Sequence, residues 1–255
     1  MTGLAAIVLA DSRFPGGGHV HSGGVEEAVA RGLVTGLDDL GAFLHGRLRT
    51  TGLVAAGFAA AAARLAAPGP RSSPIKAPMS CVEIDERRLR LDHGDAGDPE
   101  QAWRELDAEL DARTPSPAQR AASRAQGRAT LRAARQAWPS PVLDALLAAN
   151  PRPHHALLAG AVVGIDGGSP GDAARCVAYL AVTGPAAAAV RLLGLDPLSV
   201  NALVVALGPD LARVVGAAAV EGPAAALQGA GAPALDLLAQ SHVRHHREQV
   251  RLFAS

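Results

Sequence analysis

The chain has 255 residues, its 24 basic side chains are balanced by 24 acidic ones, and only 3% of its residues are aromatic. This neutral balance excludes a global field that would hold the protein on nucleic acid or on an anionic membrane. A content of 56 alanines with so few aromatic residues is typical of close-packed helices and unlike a β-sandwich or barrel.

Cysteine usage and apolar runs indicate the compartment. Cys81 and Cys176 are too few for a disulfide framework and lie outside any C-x-x-C pattern, so we expect a cytoplasmic protein. No cationic stretch precedes the first apolar run, which argues against a signal peptide. The longest uncharged runs, 50–63 and 176–190, are shorter than the roughly 18 to 20 residues that span a bilayer, so no transmembrane helix is predicted.

Helical periodicity and capping residues predict about ten helices in an all-α, bundle-like single domain over residues 1–255. Gly184-Pro185 is expected to kink or divide the most apolar of them. In chain order, the predicted helices are a short one capped by Ser22, then 37–49, 52–67, 100–113, 117–137, 141–150, 154–165, 172–193, one after Asp196-Pro197, one after Gly208-Pro209-Asp210, and 234–250.

The composition changes between residues 70 and 98, which hold prolines, the chain's one lysine and dense mixed charge. We interpret this segment as a mobile insertion or loop excursion. A competing interpretation is a short amphipathic strand over 81–91, where apolar residues partly alternate.

A glycine-rich loop over residues 11–26 precedes the first capped helix. Such loops can cradle phosphate, but no strand clearly precedes this one and no Lys-Ser/Thr pair follows. The loop therefore matches neither a P-loop nor a dinucleotide fingerprint. It is read as a connection into a helix capped by Ser22, with Glu26 near the first turn.

Two groups of histidines are weak candidates for metal ligands. His19 and His21 lie in the glycine-rich loop, and His242 and His246 share one face of the last predicted helix. No acid or cysteine completes either set, and neither matches H-E-x-x-H, so no permanent metal site and no cofactor are expected.

No catalytic constellation is present in the sequence. Cys176 lies in an apolar helix, where a thiol behaves as a small hydrophobe, and no G-x-S-x-G elbow exists. Ser241 and His242 are adjacent, so on a helix they point away from each other. The chain is therefore not expected to be an enzyme.

Three ordered motifs resemble the urease accessory protein UreF family. The first is Phe14-Pro15-x-Gly17-x-x-x-His21-Ser22-x-Gly24-Val25-Glu26 followed by Gly32-Leu33-Val34-Thr35, and the second is Arg120-x-x-Ser123-x-x-x-Gly127-Arg128. The third is Val243-Arg244-His245 with Arg251-Leu252-Phe253-x-Ser255 at the end. Departures at His19, at 194–197 and at His246 and Gln249 indicate a divergent, high-GC branch.

The resemblance implies an all-α, non-enzymatic scaffold. It would form a homodimer, bind UreD (also called UreH), recruit the GTPase UreG and take part in nickel delivery to apo-urease. An alternative is a helical nickel carrier acting through its loop and tail histidines. The partner-binding residues implied by position are Phe14, Pro15, Gly17, His19, His21, Ser22, Gly24, Glu26, Arg124, Arg191, Arg244, His245, Arg251, Leu252 and Phe253.

Overall fold

The computed structural model describes residues 3–17, 21–67 and 98–220, and within these ranges it contains helices and no strand. A π-helical turn, Leu48–Gly52, joins the third and fourth helices into one continuous rod. The α-helices are α1 (Leu4–Ala10), α2 (Val25–Ala30), α3 (Leu37–Arg47), α4 (Leu53–Ala66), α5 (Pro99–Ala112), α6 (Pro117–Ala137), α7 (Pro141–Ala149), α8 (His155–Ile165), α9 (Pro170–Leu193), α10 (Pro197–Ala206) and α11 (Gly208–Val220). The predicted all-α class is confirmed.

Proline and capping residues set most helix starts as predicted. Ser116 accepts a hydrogen bond from the Gln119 N–H, and Pro117 occupies the first turn of α6. The start of α9 lies two residues earlier than predicted, because Ser169 and Asp172 form a reciprocal capping box that places Pro170 inside the first turn. Helix α1 was not predicted.

Helix α9 is the centre of the bundle and contacts α1, α2, α3, α4, α8, α10 and α11. Gly184-Pro185 does not divide the helix, since α9 runs unbroken from Pro170 to Leu193 with Pro185 inside it, and the predicted alternative of a kink stays a prediction. By length and hydropathy alone this helix could cross a membrane, and so could the bent pair α10 and α11. In the fold, 44% of the most apolar stretch of α9 is buried.

Two apolar clusters share helices α4 and α9. The first cluster packs one face of each of these helices against α1, α5, α6, α7 and α8, and Phe58 and Trp103 are among its largest buried side chains. The other joins them to α2, α3, α10 and α11 around Leu40 and Leu44. The alanine-rich sequence of α4 lets both faces pack closely.

Helices α4 and α8 approach each other at backbone distance. A β-carbon at Gly160 would overlap the carbonyl of Ala59, and one at Gly164 would overlap the carbonyl of Ala63. Glycine is therefore required at these two positions of α8 so that the helices can come this close.

The start of α1 is bonded by the carboxylate that follows the last residue of α8. Asp166 accepts the Ala5 N–H at 2.8 Å through one oxygen and the Trp138 indole N–H at 3.2 Å through the other. This carboxylate therefore joins the first turn of α1 to the residue that follows α6.

Three predictions fall on other parts of the chain. Outside the described residues lie the alternative strand over 81–91, the helix over 234–250 and the insertion over 70–98, of which the structure describes only Asp98. They remain predictions.

Candidate functional site

The glycine-rich loop, helices α6 and α9 and the start of α8 surround a cavity of about 610 Å³. Phe14 and His21 from the loop, Ser123 from α6 and Arg191 from the last turn of α9 all line it. The structure therefore brings together side chains from two of the sequence motifs and the separately implied Arg191.

Glycines rather than Ser22 set the entry into α2. The N-cap of this helix is Gly24, with φ of 92°, and Gly23 before it has φ of 62°. Both residues adopt the left-handed region that glycine occupies without strain. The prediction that Ser22 caps the helix is therefore wrong, since the chain turns twice after Ser22 before the helix begins.

The first turn of α2 carries two buried carboxylates, Glu26 and Glu27. Glu27 forms an ion pair with Arg31 one turn later at 2.7 Å, between a buried acid and a half-exposed base. Acids in a first turn also interact favourably with the positive end of the helix dipole. Glu26, predicted as a partner-binding residue, therefore lies mostly inside the protein.

Arg124 is held in an ion-pair network between α5 and α6. Its guanidinium donates to Asp107 at 2.9 Å and to Asp111 at 2.8 Å, and it also bonds the Arg152 carbonyl at 2.7 Å. Burial lowers the pKa of Arg124, but the hydrogen bonds to the two carboxylates outweigh this and raise it. Through these contacts Arg124 links α6 to α5 and to the segment before α8. Its role in partner binding stays a prediction.

Sequence reasoning missed the second part of this network, which contains a serine, a histidine and an acid in line. The His154 ring nitrogens lie 3.0 Å from Ser123 Oγ and 2.9 Å from Asp111 Oδ1. Ser123 Oγ also accepts the His155 N–H at 3.2 Å. The Arg120-x-x-Ser123 spacing was a signal, but the sequence could not show that α8 begins beside it.

This arrangement is poorly suited to nucleophilic catalysis. Burial and the nearby Arg124 charge lower the pKa of His154 despite its hydrogen bond to Asp111, and the His154 residue is only 1% exposed. A lowered pKa makes the imidazole a weaker base. The contacts instead fix the first turn of α8 against α6.

Two histidines face the cavity close enough to influence each other. Burial, together with the charge of His21, lowers the pKa of His155 to about 4. His155 is therefore neutral at physiological pH. Within residues 3–17, 21–67 and 98–220, no group of three or more His, Cys, Asp or Glu side chains could hold a metal ion.

The remaining predicted residues divide between the cavity and other places. Pro15 is exposed on the loop, and Gly17 is half-buried with φ of 71°. Cys176 is buried, and burial raises the pKa of its thiol to about 12, in keeping with a small inert hydrophobe. The predicted residues outside the described ranges are His19, His242, Arg244, His245, His246, Arg251, Leu252 and Phe253.

Comparison with known proteins assigns the family. The UreF family model matches residues 34–208 of the chain. The chain belongs to the UreF family. It is 45% identical to the urease accessory protein UreF of Mycobacterium sp. strain JLS, with 100% of both chains covered. Over the same full coverage it is 44% identical to the UreF of Mycolicibacterium vanbaalenii and 41% identical to that of Mycobacterium tuberculosis.

Family membership supports a role in urease maturation. The relatives are named as urease accessory proteins. The glycine-rich loop at 11–26 lies before the matched segment, yet the full-length relatives cover it as well.

Proposed function

We propose that this chain is a non-catalytic scaffold of urease maturation. It binds UreD (UreH), recruits the GTPase UreG and supports nickel insertion into apo-urease. The single observation that carries the proposal is the convergence of Phe14, His21, Ser123 and Arg191 on one cavity, although they are far apart in sequence.

The shape and chemistry of this region suit a protein partner. Phe14 is half-buried and offers ring area, while Arg191 is an exposed cation at the end of α9. Aromatic and arginine side chains are enriched at the centres of protein interfaces. Arg251 and the other tail residues are assigned to partner binding by their motif alone.

Capture of the partners tests the scaffold. Full-length protein is mixed with cognate UreD, then with UreG, and the complexes are separated by size. Wild-type protein is expected to retain both partners, and Arg191→Ala to bind UreD at least about tenfold more weakly, because an interface arginine carries much of the binding energy. The matched control is Arg175→Ala on the same helix, whose partner Asp172 lies on its own turn. If the wild-type protein forms no complex with either UreD or UreG, the proposal is contradicted.

The tail has a separate test within the same proposal. Arg251→Ala should keep UreD but lose UreG, because the proposal assigns UreG recruitment to the tail and UreD binding to the region of the cavity. Unchanged UreG recruitment removes Arg251 from the partner-binding set. Light scattering of the assembly tests the proposed homodimer, and fractionation tests the proposed cytoplasmic location.

A nickel carrier remains the second candidate function, because His21 lines the cavity near His155. Equilibrium dialysis with nickel decides between the two. Tight binding that is lost in His21→Ala favours the carrier, whereas no binding excludes it and leaves the scaffold.

A further inference from the structure

An interior proline in α9 leaves one backbone carbonyl without its usual donor. In a regular helix the N–H of residue 185 would bond the carbonyl of Ala181, four residues earlier. Pro185 has no N–H, so the Ala181 carbonyl has to find its partner elsewhere.

Arg47 supplies that partner from another helix. Its Nε donates to the Ala181 oxygen at 2.9 Å, and its Nη1 donates to the Gly23 oxygen at 2.9 Å. Arg47 is the last residue of α3, directly before the π-helical turn. One planar guanidinium thus ties the central helix to the glycine-rich loop.

The junction has no spare room. A β-carbon at Gly23 would lie 2.9 Å from Arg47 Cζ and 3.1 Å from Pro185 Cγ. Gly23 also has φ of 62°, so both space and backbone conformation select glycine here. The loop, α3 and α9 therefore meet at a fixed geometry immediately beside His21 and Gly24.

From these contacts we infer that Arg47 is a positioning residue for the partner surface, and that Pro185 makes this role possible by releasing the Ala181 carbonyl. Arg47 holds residues 21–26 in their binding shape against α9. The inference rests on the proposed function, since it assigns a residue that prepares the surface on which UreD would dock.

The first measurement is amide hydrogen exchange over residues 21–26, together with UreD affinity. Arg47→Met keeps much of the side-chain length and removes both donors. It should speed exchange at these amides and weaken UreD binding about tenfold or more, as expected for loss of hydrogen bonds to a charged donor. Arg49→Met, an exposed arginine in the π-helical turn, is the matched control and should change neither quantity.

A double-mutant cycle separates positioning from simple packing. In Pro185→Ala the new N–H can bond the Ala181 carbonyl. Arg47→Met should therefore raise the equilibrium constant for unfolding about tenfold less in the Pro185→Ala background than in the wild-type background. A packing role alone gives equal penalties in both backgrounds. Arg47→Lys, which keeps the charge but not the two-pronged donor, is the second variant if Arg47→Met does not fold.

The outcomes distinguish the two proposals. If wild-type protein fails to bind UreD, the proposed function fails. Amide hydrogen exchange and the double-mutant cycle still test whether Arg47 holds residues 21–26. The role assigned to Arg47 is overturned if wild-type protein binds UreD, Arg47→Met and Arg47→Lys show the same amide exchange and UreD affinity as the wild type, and the double-mutant cycle is additive.

Discussion

Acid should destabilise the protein through His155 before its carboxylates titrate. Burial and the His21 charge hold the pKa of His155 at about 4, against an ordinary value of 6.5. Because the folded pKa is the lower one, the unfolded chain binds the proton first as the pH falls. The contribution of neutral His155 to the free energy of unfolding is fully present above about pH 6.5. About 2 kcal/mol of this free energy is lost by pH 5 and about 3 kcal/mol by pH 4.

His155→Gln isolates this effect, because glutamine stays neutral across the range. Urea unfolding followed by circular dichroism at pH 7.5, 6 and 5 gives the free energy of unfolding of both proteins. The wild type should lose about 2 kcal/mol more than the variant between pH 7.5 and 5. Parallel losses would refute the reasoning. His21→Gln should reduce the loss, since it removes one of the two causes of the lowered pKa.

Three further predictions concern packing, charge and reactivity. Gly160→Val places atoms on the Ala59 carbonyl and should cost about 2 kcal/mol or more, measured by thermal unfolding; an unchanged melting temperature would show that α4 and α8 can separate freely. Arg124→Met leaves the buried Asp107 without its cation and should cost about 3 kcal/mol in urea unfolding, so a loss below about 1 kcal/mol contradicts the network's importance. Native Cys176, with its pKa raised to about 12, should resist iodoacetamide at pH 8 until the chain unfolds, as mass spectrometry of its peptide can show; fast native labelling would count against its burial.

Local signals carried most of the helix prediction. Proline in the first turn with a capping residue before it predicted the start of α6 at Pro117, because this chemistry acts within a few residues. The same kind of reasoning misplaced the N-cap of α2, since Ser22 is a good capping residue but two left-handed glycines follow it. Helix α1 was missed because it has no side-chain cap of its own; its start is bonded by Asp166, distant in sequence, and its apolar face packs in the first cluster.

The candidate site was predicted as separate pieces and not as one place. Motif resemblance selected Phe14, His21 and Arg191, but only tertiary packing could show that they line a common cavity. Gly184-Pro185 predicts a disruption of α9, whereas the helix continues through Pro185 and the Ala181 carbonyl accepts a hydrogen bond from Arg47. No local pattern connects those two positions, because the contact depends on how α3 and α9 pack.

The backbone contact between α4 and α8 has a mechanical consequence. With Gly160 and Gly164 seated on the carbonyls of Ala59 and Ala63, a slide of either helix along the other drives β-carbons into the main chain. This pair therefore acts as a stiff spine with a single register. Val54, Ala55 and Ala156 of this pair line the neighbouring cavity, so the cavity has one wall whose position is set by main-chain contact.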